Sequence, residues 1–184
     1  MALIAARWRA LGAGFDDAAL RPFDATSAPA WPALRDWCLS DLKQPWQTAL
    51  HRAPDVGMAR QRAAALALAL DGSDRLAACK TVAARIQLRL SVKLQDARLW
   101  QSAQAADVRD SGCVPDEQSA WQALARFQPR RPTFIVVQGG LSHERLMALA
   151  ALEKRSPGFA KPVRVLALIS PGDAAPPGAI HIPA

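Results

Sequence analysis

Residues 48–70 read TALHRAPDVGMARQRAAALALAL: an apolar stub, a turn holding Pro, Asp and Gly, and a run of Ala, Leu and Arg. A strand, a Gly-containing turn and a helix, in that order, are the setting in which a chain grips phosphate. That chemistry has definite demands. Glycines let backbone N–H groups close around a β-phosphate, a Lys neutralises its charge, and the next Ser or Thr hydroxyl ligates magnesium. An acidic residue at the end of a second strand supports the metal and the water. With the pattern G-x-x-x-x-G-K-[ST] laid so that Gly57 takes the second glycine, Arg52 takes the first, Met58 the Lys position and Ala59 the hydroxyl position. Beyond the apolar run TFIVV, where the acid belongs, stand Gln138, Gly139 and Gly140. A thioether supplies no cation, and a neutral carboxamide does not replace a metal-supporting carboxylate. Arg52 or Arg60 remains as the cation of a non-standard nucleotide site.

Other residues invite chemistry. Asp74, Cys79, Lys80 and Thr81 offer a rival placement that ends in Lys–Thr, but no strand precedes it and a mid-helix position is expected. The segment APDVG is equally an ordinary strand-to-helix turn of an unrelated α/β fold. Gln138–Gly139–Gly140 falls where open sheets bind ligands, and the next helix N-terminus could hold an anion; a turn needing positive φ explains the glycines as well. His143 and Glu144 open that helix, where a His could serve as acid or base, although no nucleophile is identifiable beside it. The six tryptophans suit packing, and Trp100 and Trp121 flank a polar stretch that could mark an interface.

These residues need elements to hold them. Residues 31–43 predict a helix, with Leu34, Trp37, Cys38 and Leu42 at helical spacing and Pro32 in the first turn. A weak strand follows at 47–52, then a helix at 57–70 closed by Asp71–Gly72, and another at 73–84 capped by Ser73 or Asp74. Residues 86–95 alternate Ile86, Leu88, Leu90, Val92 and Leu94 with Gln, Arg, Ser, Lys and Gln, which predicts a half-buried strand whose basic face guards a sheet edge. A long loop is expected at 101–116 and a helix at 116–127, opened by acidic residues. The continuous apolar run 133–137 predicts a central parallel strand covered on both faces. A helix at 141–154 and a buried strand at 163–169 follow. The tail from Ser170 is expected to fray, with 179–182 able to add a short strand. Strands alternating with helices predict an α/β domain with a mainly parallel sheet flanked by helices.

The bulk composition sets bounds. The chain has 184 residues, 51% of them hydrophobic, which suits one domain with a sizeable core. Its start, MALIAARWRALGAGF, places Leu3, Ile4, Trp8 and Leu11 on one face of a short amphipathic helix, either docked on the core or lying on a membrane surface. It shows no separate basic segment, apolar segment and cleavage site, so no signal peptide is expected. No apolar run is long enough to span a bilayer. Cys38, Cys79 and Cys113 are widely scattered, which fits a reducing cytoplasm, and the isolated His51, His143 and His181 predict no zinc site. The formal charge of +7 makes a nucleic-acid partner conceivable, yet the basic residues are dispersed, with Arg60/Arg62 and 128–131 the densest stretches, and no aromatic ladder runs between them.

The run LRDWCLSDLKQPWQTALHRAPDVGMARQRAAALALAL resembles the start of the NTPase domain of bacterial STAND-type P-loop ATPases, signal-transduction proteins of the AAA+/NACHT-like class. RRPTFIVVQGG, a helix, and PVRVLALIS resemble their acid-bearing strand, next helix and following strand, so the resemblance covers roughly residues 30–170. It implies a P-loop NTPase-like fold with an N-terminal helical lead-in at 1–30, an α/β domain at 31–170 and a flexible tail at 171–184. The further helical and effector regions that such proteins usually carry are not expected in a chain of this length. The positions that depart from the family pattern are those that hydrolysis needs. The resulting expectation is a cytoplasmic, catalytically inactive module for binding, scaffolding or regulation, with a protein partner and no cofactor. ATP at a non-standard site is the alternative, with Arg52, Gly57, Met58, Ala59, Arg60 and Gln138 as the degenerate nucleotide-loop positions.

Overall fold

The computed structural model describes residues 19–21, 23, 28, 31–97 and 102–183. The amphipathic helix expected at the start and Trp100 lie outside the described residues. The sheet has five parallel strands: β1 (Trp46–Arg52), β2 (Asp110–Cys113), β3 (Thr133–Gln138), β4 (Val163–Ile169) and β5 (Ile180–His181), in the spatial order β2-β3-β4-β1-β5. Helices α1 (Pro32–Leu39), α2 (Val56–Leu70), α3 (Ser73–Ala78), α4 (Val82–Ala97), α5 (Gln118–Arg126) and α6 (His143–Arg155) fill the connections. The α/β class, parallel sheet and flanking helices expected from the sequence are all present, in an arrangement consistent with a P-loop-like fold.

The period of two along each strand splits the core into two layers. Ile135, Val137, Val163, Val165, Ala167 and Ile169 face α5 and α6, meeting Trp121, Leu124, Leu149 and Leu152. Phe134, Val136, Leu166 and Leu168 face α1 and α2, meeting Leu34, Cys38, Ala59, Ala63 and Ala67. The Ala stripe of α2 lets that helix lie close on the sheet. β4 is buried along its whole length, as a strand covered on both faces should be. Its one charge, Arg164, is fully buried and donates to the carbonyl oxygens of Ser40, Asp41, Gln44 and Val163 at 2.8–3.2 Å. Burial pulls the Arg164 guanidinium down to about 10, and the nearby Arg109 adds to the effect. The same contacts explain why α1 stops at Leu39 and not at 43: the chain turns through Asp41 (φ 39°) to deliver its carbonyls to that cation.

Three sequence expectations are corrected. The strand expected at 86–95 is part of helix α4. Strict alternation advances about 200° for every two residues of a helix, so it also describes two opposed helical ridges. Leu88 and Val92 turn inward, with Val92 fully buried, while Val82, Ile86, Leu90 and Leu94 project into solvent. Its Leu, Arg, Gln, Lys and Ala residues are also good helix formers. The single helix expected at 73–84 is two helices: α3 ends at Ala78 with Cys79 as its C-cap, and Thr81 accepts from the Ala84 backbone N–H to start α4. Lys80 and Thr81 therefore lie in a break between helices rather than mid-helix. The loop expected at 101–116 contains β2, whose sequence DSGC has no strand periodicity but is buried throughout beside β3.

The last turn of α4 is tied to the sheet. Gln95 clamps the Val108 backbone, donating to its carbonyl oxygen at 2.9 Å and accepting from its N–H at 3.0 Å. Asp96 accepts from Arg131, which also pairs with buried Asp110 at 3.4 Å. Desolvation lifts the Asp110 carboxyl to about 6 against the pull of Arg131. The tail returns to the sheet and supplies the short strand expected near its end. Ile182 is buried and donates its N–H to Leu50, Trp31 Nε1 donates to the Pro183 carbonyl oxygen, and His51 Nδ1 lies 2.9 Å from the Ile182 oxygen. Among the described residues, no helix is long and apolar enough to cross a membrane.

Candidate functional site

The turn after β1 and the turn after β3 meet at the same edge of the sheet. β1 and β3 flank β4, with Arg52 level with Ile169 and Gln138 level with Leu168. Two strand spacings, about 10 Å, separate Arg52 from Gln138. The structure thus brings together the two turns that the loop pattern requires, at the carboxyl ends of parallel strands where such folds bind ligands. The turn after β4 lies between them. Asp173 in that turn accepts from Ser170 N–H at 3.0 Å, gives its carbonyl oxygen to Arg52 at 3.1 Å, and sits against Gly140.

The helix N-terminus at the centre of this edge is already capped. Asp55 is the N-cap of α2, and its Oδ1 accepts from the Met58 backbone N–H at 2.9 Å. Gly57 belongs to the first turn of that helix with ordinary φ. A Cβ built on it would come within 3.1 Å of the Asp55 carboxylate. Gly57 therefore makes room for the chain's own carboxylate, where a phosphate loop uses glycine to admit a β-phosphate. An anion sits at the positive end of the helix dipole without any ligand.

The remaining loop positions point elsewhere. Arg52 is exposed and spends a guanidinium N–H on Asp173. Met58 is exposed, a thioether in solvent. Ala59, at the hydroxyl position, is buried in the sheet-facing core, so a Ser or Thr there would face apolar side chains. Arg60 reaches across to the end of β2, where burial pushes the Cys113 thiol up and the Arg60 guanidinium opposes the shift. Arg62, the other member of that basic pair, lies 4.8 Å over the Trp31 ring. The two arginines diverge and form no joint anion patch. Gln138 is half-buried at the end of β3.

The second helix N-terminus at this edge is capped too. Gly139 takes the positive φ of the turn (75°) and donates its N–H to Leu168, which accounts for the glycine by backbone geometry. Ser142 caps α6, accepting from the Arg145 N–H at 3.4 Å, and Glu144 places a carboxylate in its first turn. His143 lies on a groove of about 480 Å³ between α5 and α6, beside Trp121, Glu144, Arg145 and Met147. Arg145 spans that groove, 5.3 Å over Trp121 and 3.0 Å from Asp116. Ser142 Oγ serves that cap as an acceptor.

Two participants were missed from the sequence. The Asp55 cap was legible, since an Asp just before a helical run is a strong N-cap signal. The turn holding Asp173 carried no signal, because it reaches the site only through the pairing of β4 between β1 and β3. Compared with known protein families, curated proteins and solved structures, the chain matches none.

Proposed function

We propose that this chain is a P-loop-like α/β module that does not hydrolyse nucleotide and serves in binding, scaffolding or regulation. The observation that carries the reading is the Asp55 carboxylate at the N-terminus of α2, where a triphosphate would need bare N–H donors and a cation. A polyphosphate entering there meets a like charge, with no ammonium or hydroxyl to offset it. Arg52 and Arg60, the cations of the alternative nucleotide site, are directed at Asp173 and Cys113. The retained strand–turn–helix frame explains the resemblance to signalling ATPases, and the altered side chains explain the loss of their chemistry.

Phosphate release from ATP and GTP, with and without magnesium, tests the reading. No turnover above the protein-free rate is expected. Hydrolysis by the wild-type chain that disappears in Arg52→Ala and Met58→Ala variants would overturn it.

A further inference from the structure

Helix α4 presents an apolar ridge that nothing in the described structure covers. Val82, Ile86, Leu90 and Leu94 are 72%, 51%, 55% and 59% exposed. They recur every fourth residue, so they form one row about 18 Å long, the kind that interdigitates with a second helix. Exposed large aliphatic side chains scattered singly need no explanation, but a continuous row of them does. The helix is held on its other side by Val92, Gln95 and Asp96, so the row is presented on an anchored element.

Charge selects the occupant. Arg85, Arg89 and Lys93 each precede a ridge residue and form a basic row along one flank, and Gln87 and Ser91 lie on the other. The described ion pairs involve none of these three cations, and Arg85 spends one N–H on the Cys79 carbonyl oxygen. A second copy packed antiparallel would set basic row against basic row, and a parallel copy would set it against Gln87 and Ser91. The chain's own first residues carry Arg7 and Arg9 beside their apolar positions, the same sign again. A membrane surface calls for a broad apolar face with aromatic anchors, and this ridge is one side chain wide on a helix without an aromatic residue.

We infer that α4 docks an acidic amphipathic helix of a partner protein, its apolar stripe on Val82–Ile86–Leu90–Leu94 and its carboxylates on Arg85, Arg89 and Lys93. The inference rests on the reading of the chain as a binding module and names the surface and the class of partner.

Fluorescence anisotropy with a labelled helical peptide tests it, the peptide carrying a Leu row flanked by Glu. The full chain is expected to bind this peptide and to reject the same peptide with Lys in place of Glu. Ile86→Ser and Leu90→Ser should each weaken binding about tenfold. The triple variant Arg85→Glu, Arg89→Glu, Lys93→Glu should exchange the preference between the two peptides. These positions are exposed, so the variants keep the fold, and unchanged circular dichroism and melting confirm it. The inference is overturned if the Glu peptide does not bind, or if binding ignores the ridge substitutions. It is also overturned if the ridge is instead filled by phosphatidylglycerol vesicles, by a second copy, or by residues 1–18, the last revealed if peptide binds only after their deletion. A failure here beside an inert nucleotide loop removes the α4 surface alone, whereas nucleotide hydrolysis removes the module reading whatever α4 binds.

Discussion

Asp55 does two things with one carboxylate: it closes the N-terminus of α2 and it sets a negative charge at the positive end of that helix. Asp55→Ala should lower stability by about 1 kcal/mol, the usual worth of such a cap, while Asp55→Asn should lose only a fraction of that because the amide oxygen still accepts. Urea unfolding of the three proteins checks the order. Asp110 makes a different demand. Its carboxyl is raised to about 6 in the folded chain by burial, so between the ordinary carboxylate range and about pH 6 the folded state holds a proton that the unfolded state has released. The stability this contributes is complete below the unfolded carboxylate range and is lost as pH rises through about 6. Wild type should therefore gain about 1 kcal/mol on Asp110→Asn between pH 7.5 and 5, with more below, read from paired unfolding curves. A pH-independent difference between the two proteins would show that the buried carboxyl stays charged throughout.

At the scale of elements, α4 separates what periodicity can say from what burial decides. Its alternation is consistent with a strand or with a helix having two opposed apolar rows. The sequence alone does not reveal that only Leu88 and Val92 find a partner surface. The helical answer predicts an asymmetry between neighbouring positions. Val92→Ala should cost about 2 kcal/mol for lost methyl groups and the void they leave, whereas Leu90→Gln should change stability by less than about 0.5 kcal/mol. A half-buried strand would make Leu90 and Val92 equally sensitive, because both would share its inner face. β3 and β4 were legible because continuous apolar runs leave little choice. β2 was not, because Asp, Ser, Gly and Cys carry no strand preference and are buried only by the neighbours that the fold supplies.

For the whole molecule, the strand order is what turns distant segments into a site. With β4 between β1 and β3, residues 52–60, 138–140 and 170–173 come to one edge, a convergence that the motif alignment foresaw for the first two and not for the third. The tail, read as a fraying end with a short strand, is locked on the other side of β1 by Ile182, Trp31 and His51. Ile182→Ala should accordingly cost about 3 kcal/mol in global unfolding, since it empties a core position rather than trimming an end. The identities at the edge motivate the proposed reading: the loop positions read from sequence hold thioether, methyl and carboxamide, and the structure adds the Asp55 carboxylate at the helix N-terminus. The most direct test of that account is a thermal-shift titration of the intact chain with ATP and magnesium. Saturation at about 100 times a real Kd would stabilise a binding-competent fold by about 2.7 kcal/mol. No rise in Tm is expected at any nucleotide concentration; a saturable rise that vanishes in Arg52→Ala would contradict the claim.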